Sequence, residues 1–107
     1  MKKQQAKKIA KLLYDLKLAF KNPTMYPTEV LSVNWDVNDV VFSPEVQLRS
    51  PLSVIVLADD KQELILKEHL GSKEWLRVSY WIESVEFFAI FSNVDFLPIQ
   101  HKLPEIT

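Results

Sequence analysis

KKQQAKKIAKLLYDLKLAFK, residues 2–21, decides how the rest of the chain is read. On a helical wheel of about 100° per residue, Ala6, Ile9, Leu12, Leu13, Leu16 and Phe20 gather on one side. Lys3, Lys7, Lys11, Lys17 and Lys21 gather on the other, with Lys8 at the edge. Strong helix formers fill the stretch, and Pro23 ends it by disfavouring helical dihedrals at Asn22. The spacing predicts a long amphipathic helix whose apolar stripe, Ile9, Leu13, Leu16 and Phe20, needs a surface to cover.

The residues that follow supply that surface. Leu31, Val33, Trp35 and Val37 alternate with Ser32, Asn34, Asp36 and Asn38, the period-2 pattern of a strand with one buried face. A return strand is predicted over 40–43. Pro44 and Pro51 then bracket a segment that reads as an edge strand or extended loop. Residues 53–58 are apolar on both faces and read as a central strand. Strands are also predicted over 75–82, 86–91 and 94–99, a region where seven of the twelve aromatic residues fall.

Residues 59–71 carry two signals. Asp60 with Glu63 has the spacing of a capping box, and Gly71 stands where a helix would end, whereas Leu64-Ile65-Leu66 suits a strand. The cap tips the balance to a short second helix. With Gly71 as the only glycine, tight hairpin turns of the primed types are expected to be scarce. Residues 62–84 can also be drawn as helix–turn–helix about Gly71, with Lys73, Arg77 and Ser79 facing DNA. Val78, Tyr80, Trp81 and Ile82 favour the strand instead. The expected fold class is α+β: the N-terminal helix packed on a mostly antiparallel, curved sheet, with one short helix besides. At 107 residues this is a single domain, a helix over 1–21 and a mostly β body over 28–107.

Charge divides along the same boundary. Residues 1–21 carry +6 and the remaining residues −7, within a net charge of −1. Lys3, Lys7, Lys8, Lys11, Lys17 and Lys21 would line a stripe about 25–30 Å long, able to follow a nucleic-acid backbone. Tyr14 and Leu18 lie among them and would add stacking or contact area. The same face would equally serve to solvate the helix against an acidic body. Asp36, Asp39, Glu45, Asp59, Asp60, Glu63, Glu83, Glu86 and Asp95 offer a rival, an acidic sheet surface for a protein partner. Trp75 and Trp81, opposite in phase to Leu76 and Val78, mark either a dimer contact or a second buried face.

Several chemistries have no support. The chain contains no Cys and only two histidines, His69 and His101, without metal-ligand spacing. Residues 36–39 resemble the start of a calcium loop, but Val41 and Gln47 stand where its glycine and glutamate belong. No nucleophile elbow, P-loop, dinucleotide fingerprint or zinc-protease motif is present. The expectation is a non-enzymatic binding or regulatory protein without a cofactor, touching RNA or DNA through the lysine face. The alternatives are a protein–protein module and an enzyme whose site forms from distant residues. With neither a signal-peptide pattern nor a membrane-length apolar run, the expected location is the cytoplasm. A basic complement that is nearly all lysine suggests a bacterial or phage source.

Overall fold

Five strands form one sheet in the order β1-β2-β5-β4-β3. They are β1 Val30–Asn38, β2 Val41–Leu48, β3 Ile65–His69, β4 Ser72–Ile82 and β5 Val85–Ser92, and the helices are α1 Lys3–Leu16 and α2 Pro51–Ile55. The computed structural model describes residues 1–16, 26–38 and 41–107. All neighbouring strands pair antiparallel except β2 and β5, which run parallel. The expected mixed α+β architecture and mostly antiparallel sheet are therefore present.

α1 follows its sequence pattern as far as it is described. Ala6, Ile9, Ala10 and Leu13 are buried against β4 and β5, while Lys7, Lys8 and Lys11 face solvent. The helix runs to Leu16, and the expected continuation to residue 21 lies outside the described residues. α2 packs beside it, so both helices cover the same face of the sheet through Val46, Val78, Tyr80 and Phe87.

Several expectations need correction. Residues 53–58 are not a central strand: α2 and a turn occupy them. The Ser50 side chain accepts a bond from the Leu52 N–H at 3.2 Å, and Pro51 begins the helix with its φ already set. The apolar run then buries Val54 and Leu57, three residues apart, and exposes Val56.

The second helix expected over residues 60–70 is replaced by a single 3₁₀ turn and a strand. The capping box is real, with Asp60 Oδ1 accepting from Gln62 N–H at 2.9 Å and Glu63 Oε1 from Asp60 N–H at 3.0 Å. It closes only Lys61–Glu63, and Leu64 and Leu66 then bury on alternate positions leading into and along β3.

Gly71 is not a helix cap. With Leu70 it forms a two-residue turn at φ 72° and 54° between β3 and β4. Glu83 and Ser84, at φ 49° and 68°, form a second such turn without any glycine. Left-handed backbone costs a non-glycine residue about 1–2 kcal/mol. The unbroken β4–β5 ladder from Trp75↔Ser92 to Ile82↔Val85 holds that turn closed. The expectation that primed turns are scarce underrated pairing.

Residues 94–99 are not a strand but two 3₁₀ turns, Asn93–Asp95 and Leu97–Lys102. Ser92 Oγ caps the first by accepting from Val94 N–H, and Phe96, Ile99 and Leu103 return to the core. The chain ends beside β3, where Ile106 bridges to Leu66 and the Thr107 N–H donates to Leu66 O at 2.8 Å.

β2 also differs from its reading. It is one inner strand running through Pro44, not a short strand followed by an edge piece. Its pairing with β5 begins at Glu45, one residue beyond Pro44, so the missing N–H is not asked to bond there.

Candidate functional site

The lysine face of α1 was the expected site, and the structure divides it. Lys3 is committed to the body: its Nζ lies 3.0 Å from Asp59 Oδ2 and 5.8 Å from the centroid of the Tyr80 ring. The Asp59 carboxylate, with a smaller contribution from Tyr80, raises the pKa of this ammonium. Lys7, Lys8 and Lys11 are exposed, with no acidic partner among the described residues. They span about 6 Å of helix axis, enough to meet roughly two successive phosphates of one strand. Tyr14 belongs to α1, whereas Lys17, Leu18 and Lys21 lie outside the described residues.

The expected acidic surface is distributed rather than gathered. Asp59 faces Lys3, and Asp60 and Glu63 cap the 3₁₀ turn. Glu83 sits in a hairpin turn and Asp95 in another 3₁₀ turn, while Asp36 lies in β1 and Asp39 outside the described residues.

Glu45 and Glu86 share a cluster on the sheet face opposite α1 and α2, where no helix lies among the described residues. They are register partners across the β2–β5 seam, two like charges side by side. Arg77 lies between them: Nη2 is 2.6 Å from Glu86 Oε1 and 3.7 Å from Glu45 Oε1, and Nε donates to Glu86 Oε2 at 3.1 Å. Ser79 Oγ donates to the same Glu86 oxygen. To reach Glu86, the Arg77 guanidinium lies over the Phe88 ring, 3.7 Å from its centroid. One cation thus ties β4, β5 and β2 and shields an aromatic ring that no helix covers.

Trp75 and Trp81 stand on the same face at either end of this cluster, 47% and 44% exposed. They do not belong to a second buried layer. Sequence reasoning treated Glu45 and Glu86 as free surface charge, since Arg77 joins them only through long-range register. The available signal was that Arg77 and Ser79 fall on one face of the strand expected over 75–82.

Two cavities among the described residues lie elsewhere. One, of about 530 Å³, lies at the start of β1, lined by residues 26–28, residues 30–33 and Arg49. Arg49 is held there by its Nε–H bond to Thr28 O at 2.8 Å and its backbone N–H bond to Glu29 O at 2.9 Å. Burial raises the pKa of the neighbouring Tyr26 phenol, whose hydroxyl lacks a partner among the described residues. The other, of about 300 Å³, lies between Phe96, Gln100 and residues 103–106. Neither is lined by histidine. Among the described residues no three His, Asp or Glu side chains converge as a metal site would require. No described helix is long and apolar enough to cross a membrane.

No known protein family, curated protein or solved structure matches this chain.

Proposed function

We propose that this is a non-enzymatic binding protein of the cytoplasm that docks an anionic partner, nucleic acid first, on the lysine face of α1. One observation carries the reading: Lys7, Lys8 and Lys11 project together from a helix whose opposite side is fixed in the core. A cationic face on a docked helix is preorganised, so little ordering is required when a phosphate backbone meets it. Lys3 is not part of that contact, because Asp59 already holds it.

The test is fluorescence anisotropy of labelled single-stranded RNA and duplex DNA against the protein at low and physiological salt. The expected result is binding that weakens steeply with salt. In the Lys7→Glu/Lys11→Glu variant it is lost, while the thermal melt stays in place because both side chains face solvent. Each phosphate contact removed lowers the salt slope by about one. Absence of binding at low salt overturns the reading.

A second reading, contact with a protein partner, is favoured by Trp75 and Trp81 on the helix-free sheet face. Tryptophan is enriched where protein interfaces concentrate their energy. The acids give this reading less support than the tryptophans do, since Glu45 and Glu86 are engaged with Arg77. The lysine variant separates the two readings: it abolishes the first activity and spares the second.

A further inference from the structure

The two edges of the sheet are finished differently. Ile106 and Thr107 bond to Leu66 on β3. β1 is nine residues long, stands at the opposite edge, and has no strand on its outer side among the described residues. Its sequence, VLSVNWDVN, carries one charge and neither lysine nor proline, two residues that blunt an edge against pairing, and its one irregularity is a bulge between Val30 and Ser32. Its outward main-chain donors and acceptors pair with no strand among the described residues.

The cavity beside that edge has a telling lining. Val30, Leu31, Ser32 and Val33 all touch it. A bulge between Val30 and Ser32 breaks the strand's alternation here, which lets consecutive residues line one groove at the start of β1. Its volume of about 530 Å³ falls within the size range of ligand clefts.

Charge then selects an orientation. Arg49 sits where β1 begins, and its Nε bond to Thr28 O fixes the guanidinium while leaving the Nη pair. No carboxylate lies within ion-pair distance of it among the described residues. A strand added antiparallel to β1 finishes at this end and delivers its terminal carboxylate to the fork. A parallel strand would bring its amino terminus, a cation, to the same arginine.

We propose that the β1 edge is a docking site for an extended peptide with a free C-terminal carboxylate, which adds antiparallel as a further strand and anchors on Arg49. Main-chain bonds to the edge would supply affinity, and the groove would choose the side chains. This inference is independent of the lysine face of α1.

The experiment presents the full chain with a library of random heptapeptides displayed with free C-termini, and with the same library displayed with its C-termini embedded. Enrichment is expected from the first library only. An enriched peptide, resynthesised, should bind the wild-type protein and protect amides of residues 30–34 from hydrogen exchange. Its C-terminally amidated form should bind at least about tenfold more weakly, the size of one charge-assisted bond. Arg49→Ala should cause the same loss, with Arg49→Lys recovering part of it. The amidated peptide tests the carboxylate on the unaltered protein, so the proposal stays testable if Arg49→Ala fails to fold. Equal enrichment from both libraries, no enrichment from either, or equal binding of the acid and the amide overturns it. So does a sedimenting dimer whose β1 amides are protected without peptide, because a second copy would then own the edge.

Discussion

β4 and β5 show two faces of the same pair of strands, and the faces reach burial by different means. On one side Val78, Tyr80, Phe87 and Ala89 are covered by α1 and α2. On the other, Phe88 is buried to 3% exposure beneath the guanidinium of Arg77, with no helix above it among the described residues. The first face is an ordinary apolar core. The second holds its ring under an ion-paired side chain and leaves Trp75 and Trp81 open at its ends. Strand alternation assigns residues to the faces, but whether a face becomes a core depends on what the rest of the chain brings over it.

The largest effect should follow from emptying the helix-covered face. Phe87→Ala removes a fully buried ring and should cost about 3–5 kcal/mol in a urea melt. Leu13→Ala, on the helix side of that core, should cost about 2–5 kcal/mol. A loss under half a kcal/mol at either site would mean that the helices do not make this face a core. The open face should come next. Arg77→Ala uncovers Phe88 and leaves Glu45 and Glu86 side by side, at an expected cost of about 1–3 kcal/mol. Adding Glu45→Gln to that variant should recover part of the loss, because it removes one of the two like charges. If the double variant is no more stable than Arg77→Ala, the cluster does not act as an electrostatic tie. Trp75→Ser and Trp81→Ser should each move stability by about 0.5 kcal/mol or less, as exposed positions do. A larger loss would show that these rings already contribute to the isolated fold.

The smallest effect lies at the β1 groove. Burial raises the Tyr26 pKa above its usual value of 10.0. The folded protein therefore keeps the phenol neutral while the unfolded chain ionises, and stability falls as pH rises from about 10 through the higher folded value. Tyr26→Phe should flatten that alkaline decline in melts recorded between roughly pH 9 and 11.5. An unchanged slope would place the hydroxyl in water.

The contrast between the faces also explains which parts of the structure could be read in advance. α1, as far as it is described, and β4 were legible because a single period runs through each: Ala6, Ile9 and Leu13 for the helix, Val78, Tyr80 and Ile82 for the strand. β5 was read from its aromatic and β-branched composition, and in β1 a bulge between Val30 and Ser32 leaves Leu31 exposed where the period had it inward. Residues 51–58 were not, because an apolar run this short fits a buried strand or a buried helix equally well. The arbiter was Ser50-Pro51, a cap followed by a first-turn proline, a local signal that hydrophobicity outweighed. Residues 60–70 failed the other way: a genuine capping box was extended into a helix although Leu64 and Leu66 obey the strand period.

In the candidate site, the exposure of Lys7, Lys8 and Lys11 was legible from the wheel, but the capture of Lys3 by Asp59 was not, since 56 residues separate them. The same holds for Arg77 and the two glutamates. Interactions that depend on sheet order cannot be read from spacing, and the parallel seam that joins them follows from the crossover between β2 and β3.

That seam has a kinetic consequence. The β1–β2 hairpin and the β3–β4–β5 meander each close over short loops, whereas Glu45 and Glu86 meet across about forty residues of chain. The two sub-units can zip independently, and the slow step is the encounter that lays β2 against β5. The side chain that neutralises this encounter, Arg77, arrives on the meander. A chevron for Arg77→Ala should therefore place most of its loss in the folding limb; a loss confined to the unfolding limb would mean that the seam closes after the barrier and is not the slow step.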